Sequence, residues 1–108
     1  MILRGDIVVC ALSGDYGKPR PALIIQSDLF NPTHASVVVC PITSHIIDAS
    51  LFRILVYPST ENHLTILSQI MIDKLTAIKL EKVQAVIGKL EKHLLQQVND
   101  GLQLWLGL

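Results

Sequence analysis

Short runs of aliphatic residues, each separated from the next by a turn-forming segment, fill the first two thirds of this 108-residue chain. The runs are rich in Val, Ile and Leu, and the segments between them contain Gly, Pro, Asn, Asp or Ser. Five such runs at this spacing predict a small barrel or a strongly bent sheet. The predicted strands are residues 7–12, 21–27, 36–43, 52–57 and 65–72.

The last third of the chain has a different pattern. Residues 74–88 are ambiguous, and we interpret them as a strand near 74–79, a helical turn at about 80–83 and a strand near 84–88. From about Glu91, apolar residues recur at three- and four-residue steps, which predicts a helix. Gly101 is expected to weaken this helix by roughly 1 kcal/mol relative to alanine, and Trp105, on the apolar stripe, is expected in the core. The predicted fold is mainly β, with five to seven strands and a C-terminal helix.

The composition limits the partners of this chain. Its length suits one domain spanning residues 1–108. The net charge is zero, so no overall field attracts nucleic acid or anionic lipid, and a local cluster must hold any anionic ligand. The first apolar run begins too soon after Met1 for a signal peptide, and no run is long enough for a membrane span. We therefore expect a cytoplasmic protein with no membrane segment.

Motifs for metals and cofactors do not occur in this sequence. Its histidines, at 34, 45, 63 and 93, lack ligand spacing, and the glycines of "SGDYGKPR" do not precede a helix, so we predict neither a metal site nor a cofactor. Cys10 and Cys40 end two β-branched runs without the spacing of a redox motif. They are predicted to be reduced thiols in the core, with a disulfide as the alternative if their strands are neighbours.

One arginine lies between two prolines, in "KPRP". The ring of Pro19 fixes its own φ, and Pro21 favours an extended conformation for Arg20. A guanidinium held in this way is suited to phosphate, to which it donates forked, charge-assisted hydrogen bonds. Thr43 ends the third predicted strand and offers a hydroxyl nearby. Composition and spacing alone favour the ordinary interpretation, in which Arg20 is a solvated side chain and Thr43 a turn former.

A family resemblance changes this balance. The segments "RGDIVVCAL", "GDYGKPRPALIIQSD", "VCPITS", "SQIMIDKLTAI" and "VNDGLQLWLGL" resemble, in this order, the MazF/PemK toxin endoribonucleases. The most specific part is "KPRPALIIQSD" followed by "PITS". The resemblance implies a small SH3-like barrel of the MazF/PemK/CcdB type that works as a homodimer. It also implies metal-independent cleavage of single-stranded RNA, blocked by a cognate antitoxin.

The resemblance also implies site residues. The catalytic pair of the family corresponds here to Arg20 and Thr43. Many members carry a basic residue after the "QI" of the fifth strand, where this chain has Met71, so RNA specificity does not transfer from them. Beside this pair, and not as part of the resemblance, the residues expected to bind RNA are Lys18, Tyr16, Ser44, His45 and Arg4.

Cleavage of RNA without a metal ion can use the ribose 2′-hydroxyl as an internal nucleophile and leave a cyclic phosphate. The protein must then position the strand, move protons and stabilise charge on the phosphorane. Arg20 is a poor proton carrier because its pKa is above ~12, so we expect it to stabilise charge. His45 could carry a proton, although the resemblance does not imply this role.

Two other functions remain open at this point. A CcdB-like gyrase poison would bind a protein target through the C-terminal "LWLGL" and cut nothing. A catalytically silent barrel would only engage a partner. We further expect the antitoxin to be acidic and partly disordered, and to fold over Lys18 and Arg20 in competition with RNA.

Overall fold

The aliphatic runs form β-strands in the computed structural model, which describes residues 1–12, 14 and 17–108. Short 3-10 turns follow the fifth and sixth strands, at Ile72–Lys74 and Leu80–Lys82. The strands are β1 (Asp6–Ala11), β2 (Pro19–Ile24), β3 (Ser36–Thr43), β4 (Arg53–Val56), β5 (Ser68–Met71), β6 (Thr76–Lys79) and β7 (Val83–Lys89), and the helix is α1 (Lys92–Leu106). The order of elements agrees with the sequence prediction. The main differences are that β2 covers 19–24 instead of 21–27 and that β5 covers 68–71 instead of 65–72.

The described strands pair in an antiparallel sheet with the order β4-β5-β3-β2-β1-β7, while β6 pairs with β3. The eight-residue strand β3 organises this sheet. Its first half pairs with β6, its middle with β2 and its end with β5. Strands that are buried on both faces have continuous apolar sequences, which explains why the runs of β1 and β3 show little alternation.

Apolar side chains fill a core on each face of the sheet. One core lies between the sheet and α1 and includes Ile7, Cys40 and Val98. The other lies inside the curl formed by β1, β2 and β3 with β6 and β7, and it includes Cys10. Both cysteines are buried reduced thiols, as predicted, and burial raises the pKa of Cys40 to about 12. Because they belong to opposite cores, the alternative of a disulfide is wrong.

Helix α1 begins after Glu91, as predicted, and packs on the sheet through Leu94, Val98 and Gly101. A Cβ atom on Gly101 would lie 2.4 Å from the Cδ1 atom of Ile72, so this glycine permits the close approach of the helix to the turn after β5. The last turn of α1 extends past this contact. Trp105 is 47% exposed there, and the prediction that it is a core residue is therefore wrong.

An ion pair with little solvent access links β4 to the turn after β5. The Arg53 guanidinium donates from Nε to Oδ1 of Asp73 at 2.7 Å and from Nη2 to Oδ2 at 3.1 Å. The side chains are only 9% and 16% exposed. The hydrogen bond from Arg53 lowers the pKa of the Asp73 carboxyl below its ordinary value.

We expect Asp73→Asn to destabilise the fold by about 2–3 kcal/mol at pH 7, because it leaves the Arg53 charge without its partner. A carboxyl whose pKa is lowered by folding stabilises the protein above its unfolded pKa of about 4. This contribution is lost as the pH falls through the folded pKa. Urea unfolding at pH 7 and in acid should therefore show a difference between wild type and variant that shrinks with acidity. The exposed Asp48→Asn is the matched control, and a pH-independent difference would contradict this account.

Candidate functional site

Strands β2 and β3 separate at the point where prolines interrupt their pairing. The two strands are paired from Ile24 with Val39 to Ala22 with Pro41. Beyond this point Pro21 lacks the N–H group that would continue the ladder. Continuing the register by two residues would set Arg20 directly opposite Thr43. The interruption therefore opens a gap between the strands whose two sides carry the predicted catalytic residues.

A cleft of about 410 Å³ occupies this gap, and both Arg20 and Thr43 line it. Arg20 is an exposed residue of β2, rather than of the preceding loop as predicted, and Thr43 is the half-buried last residue of β3. Ser44 also lines the cleft, as predicted. The structure thus brings together a guanidinium and two hydroxyl groups in an open cleft, the groups that can surround a phosphate.

The hydroxyl of Thr43 has a defined orientation. Its Oγ1 atom accepts a hydrogen bond from the backbone N–H of His45 at 3.1 Å. This hydrogen bond uses one lone pair of the Thr43 oxygen. The hydroxyl proton of Thr43 remains available for donation to a ligand. His45 contributes this backbone N–H to the site, whereas its imidazole is exposed and does not line the cleft.

A glutamine that the sequence analysis did not select holds the loop after Thr43. Gln69 is only 5% exposed and pairs through its backbone with Thr43. Its Nε2 donates to the carbonyl of Ile47 at 2.8 Å, and its Oε1 accepts from the N–H of Ile47 at 3.1 Å. The only sequence signal was the polar pair Ser68 and Gln69 inside the otherwise largely apolar fifth run.

The far wall of the cleft comes from residues 64–66, which precede β5, although 65 and 66 were predicted to belong to the fifth strand. Thr65 and Ile66 are exposed there, and Leu64 is buried beneath them. Met71, where the chain departs from many MazF/PemK sequences, lines the cleft as well. This residue therefore adjoins Arg20 and Thr43 in space.

Two other predicted RNA-binding residues, Lys18 and Arg4, do not line this cleft. Lys18 is exposed just before β2. Arg4 donates from Nε to the carbonyl of Ile25 at 2.9 Å and from Nη2 to Oδ1 of Asn99 at 2.7 Å, which ties the end of β2 to α1. We therefore leave Arg4 out of the candidate site. The prediction for Tyr16 falls outside the described residues.

Two kinds of structure are absent from the described residues. Within residues 1–12, 14 and 17–108, no group of three His, Cys, Asp or Glu side chains is arranged to hold a metal ion. No helix in the described part of the chain has the length and apolar character needed to cross a membrane.

Known proteins match nearly the whole length of this chain. Residues 3–106 match the model of the PemK-like, MazF-like toxins of type II toxin–antitoxin systems. The chain belongs to this family. It is 41% identical over 106 residues to a probable endoribonuclease MazF of Mycolicibacterium smegmatis, covering 97% of this chain and 96% of that protein. It is 26% identical over 112 residues to endoribonuclease EndoA of Bacillus subtilis, covering 100% of this chain and 97% of EndoA.

Solved structures share the fold of this MazF-like chain at low sequence identity. An endoribonuclease in complex with its cognate antitoxin, from a mycobacterial species, superimposes with a TM-score of 0.85 at 19% identity, covering 100% of this chain and 97% of that one. MazF from Deinococcus radiodurans gives a TM-score of 0.81 at 20% identity, with coverage of 99% and 97%. The predicted family and the mainly β fold with a C-terminal helix are confirmed. The two sequence relatives are named endoribonucleases, the enzyme class predicted for this chain.

Proposed function

We propose that this MazF-like protein is a cytoplasmic toxin that cleaves single-stranded RNA at specific sequences and is neutralised by a cognate antitoxin. The observation that carries this proposal is the opening between β2 and β3, where Arg20 and Thr43 line the same cleft. The volume of about 410 Å³ is that of a small-molecule pocket and is large enough for an unpaired nucleotide.

The reaction uses the RNA itself as nucleophile. The ribose 2′-oxygen attacks the adjacent phosphorus and loses its proton, the bond from phosphorus to the 5′-oxygen breaks, and the leaving oxygen takes up a proton. The products are a 2′,3′-cyclic phosphate and a 5′-hydroxyl. Arg20 stabilises the negative charge on the phosphorane, and the Thr43 hydroxyl donates to a phosphate oxygen. No step requires a metal ion.

Sequence specificity comes from the walls of the cleft in this proposal. Met71 and Ile66 present apolar surface next to the reacting groups, while Thr65 and Ser44 present hydroxyl groups that can hydrogen-bond base edges. These residues come from the segment before β5, the end of β5 and the loop after β3. They can therefore differ among relatives without disturbing the pair Arg20 and Thr43.

We expect Gln69→Met to lower kcat by about ten- to a hundredfold with little change in KM, because misplacement of a catalytic group weakens the transition state more than substrate binding. Methionine keeps the volume of glutamine and removes both hydrogen bonds to Ile47. Steady-state kinetics on a cleaved RNA measure the effect. Gln84→Met on the exposed face of β7 is the matched control. A folded Gln69→Met variant with wild-type kcat would show that the tether has no role in positioning.

We further propose a homodimer. Exposed apolar side chains cluster where α1 ends beside β4, and the ring of Trp105 lies 5.4 Å from that of Phe52 between their centroids. The exposed residues of this patch are Leu51, Leu104 and Trp105. A patch of this kind on so small a protein favours a symmetric partner. Sedimentation at micromolar concentration should give twice the chain mass of 11.9 kDa, and Leu104→Glu should reduce it to one. A wild-type monomer would contradict this proposal.

The antitoxin acts by occlusion in this account. An acidic, partly disordered segment folds over Lys18 and Arg20 and competes with RNA for the same positive charges. Adding the purified antitoxin should therefore reduce RNA affinity and cleavage together. A bound antitoxin that left RNA affinity unchanged would contradict occlusion.

A single comparison separates the proposal from its alternatives. The exposure of Trp105 in the single chain removes one argument against a CcdB-like gyrase poison, which was that this side chain belongs to the core. The purified protein should cleave a mixed RNA at a recurring sequence and leave gyrase with DNA unaffected. Trapped gyrase–DNA complexes without RNA cleavage would indicate the poison, and neither effect would indicate a silent binding barrel.

A further inference from the structure

The cleft does not end at the residues between β2 and β3. Leu12, Pro41 and Met71 line both the cleft and an adjoining depression of about 350 Å³. Leu12 also lines a third depression, of about 600 Å³, together with Ala77 and Ile78, which it shares with the second. The three depressions therefore form one continuous path from Arg20 along β6.

Positive charge follows this path. Lys74 lines the second depression, and Lys79 and Lys82 line the third. All three lysines are exposed. Among the described residues that line the second and third depressions, none is an aspartate or a glutamate. We call this extension, with its three lysines, the basic trough.

The basic trough keeps a net positive charge beside two acidic neighbours. Glu81 is exposed next to Lys82 but does not line either depression. Asp73 precedes Lys74 and attracts it, but the Asp73 carboxylate is hydrogen-bonded to Arg53. The described ion pairs do not include any of the three lysines. On a chain with a net charge of zero, three lysines in one groove form the local cluster that an anionic ligand requires.

We propose that the basic trough binds the RNA strand as it leaves the cleft, with the lysines on backbone phosphates and the chain of bases over the floor formed by Leu12, Ala77 and Ile78. This inference rests on the proposed function. A strand whose reacting phosphate lies at Arg20 must continue beyond the cleft, and the trough is a continuous and positively charged continuation.

The chemistry of the trough specifies how it binds. Its described lining has no aromatic side chain on which bases could stack. Ammonium groups contact phosphates as point charges and read no base edges. The lysines of the trough therefore supply affinity that depends on salt and not on sequence, whereas the cleft supplies the choice of cleavage site.

Binding of an uncleavable RNA tests this inference. The probe is a fluorescein-labelled random 15-mer in which every ribose is 2′-O-methylated, titrated by anisotropy from 50 to 300 mM salt. Loss of two phosphate contacts in Lys79→Gln/Lys82→Gln should weaken binding by roughly 25-fold at 0.1 M salt and lower the slope of log K against log salt by about 1.4. Lys79→Arg/Lys82→Arg, which keeps the charge, should bind like wild type. Lys89→Gln/Lys92→Gln, with the same change in net charge outside the trough, should retain both affinity and slope.

The outcomes separate this inference from the proposed function. If wild type cleaves RNA and Lys79→Gln/Lys82→Gln binds the probe with wild-type affinity and slope, the trough is overturned and the cleft stands. If wild type neither binds nor cleaves RNA, the proposed function fails and the trough with it. A parallel titration uses poly(glutamic acid). If the variant loses binding to this polymer alone, the trough receives an acidic polypeptide, and the assignment to RNA is overturned.

Discussion

Arg20→Ala should lower the rate of RNA cleavage at least about a hundredfold, which corresponds to roughly 3–4 kcal/mol of transition-state stabilisation from one preorganised donor. Arg20 is an exposed residue at the start of β2, so its loss should leave the fold intact. The prolines on either side limit its backbone, and little reorganisation is needed when charge develops on the phosphate. Single-turnover cleavage under saturating protein measures this effect.

Other substitutions in the cleft distinguish charge stabilisation from other roles. Arg20→Lys should restore little activity, because an ammonium cannot form the planar fork of a guanidinium. Thr43→Ala should cost less than Arg20→Ala if its hydroxyl only orients the phosphate, and Thr43→Ser should retain most of the rate. Each variant is first compared with wild type in thermal unfolding and in sedimentation. Undiminished cleavage by a folded Arg20→Ala variant would move the active site elsewhere.

The largest expected effect on stability is that of Gly88→Ala, which should cost about 3 kcal/mol or more because the added methyl group has no space. A Cβ atom at Gly88 would lie 2.5 Å from the backbone oxygen of Asn62 and 2.7 Å from that of Glu61. The turn that carries these atoms is held firmly. Asn62 is fully buried, and its Nδ2 donates to the carbonyl of Tyr57 at 3.0 Å, while its Oδ1 accepts from the N–H of Leu64 at 3.0 Å.

Urea unfolding compares Gly88→Ala with Ala85→Val, a substitution that also adds volume on β7 but at an exposed position. The control should change the free energy of unfolding by less than about 0.5 kcal/mol. The turn at Asn62 leads directly into Leu64 on the cleft wall. The cleavage activity of the variant should therefore fall together with its folded fraction as urea is added. A Gly88→Ala protein as stable as wild type would show that the turn can move.

Strands were predictable from this sequence where their apolar residues are consecutive, since β1 and β3, which have such runs, are largely buried on both faces. The pairing itself was not predictable. Strand β3 pairs along one edge with both β5 and β6, an arrangement that depends on the turn at Ile72–Lys74 and on contacts distant in sequence. The apolar stripe of the predicted helix correctly indicated that Leu94 and Val98 are buried, and it wrongly indicated the same for Trp105. Periodicity does not reveal where the sheet beneath a helix ends.

The candidate site was predictable to a similar extent. Arg20 and Thr43 were selected through the family resemblance, and the structure explains their proximity by the register of β2 and β3. Gln69 was missed because its role depends on the backbone of Ile47, which no local pattern indicates. Arg4 was selected for its charge, whereas its guanidinium is engaged by Ile25 and Asn99. Charge alone does not distinguish a structural arginine from one that binds a ligand.

The most direct test of the central claim is mass spectrometry of the RNA products formed in excess EDTA. We predict a 2′,3′-cyclic phosphate on the upstream fragment, a 5′-hydroxyl on the downstream fragment, and no cleavage of a substrate with a single deoxyribose at the cut nucleotide. The same substrate with deoxyribose one nucleotide downstream should be cleaved normally. Cleavage that requires magnesium, leaves a 5′-phosphate or persists at the deoxyribose would contradict the mechanism assigned to Arg20 and Thr43.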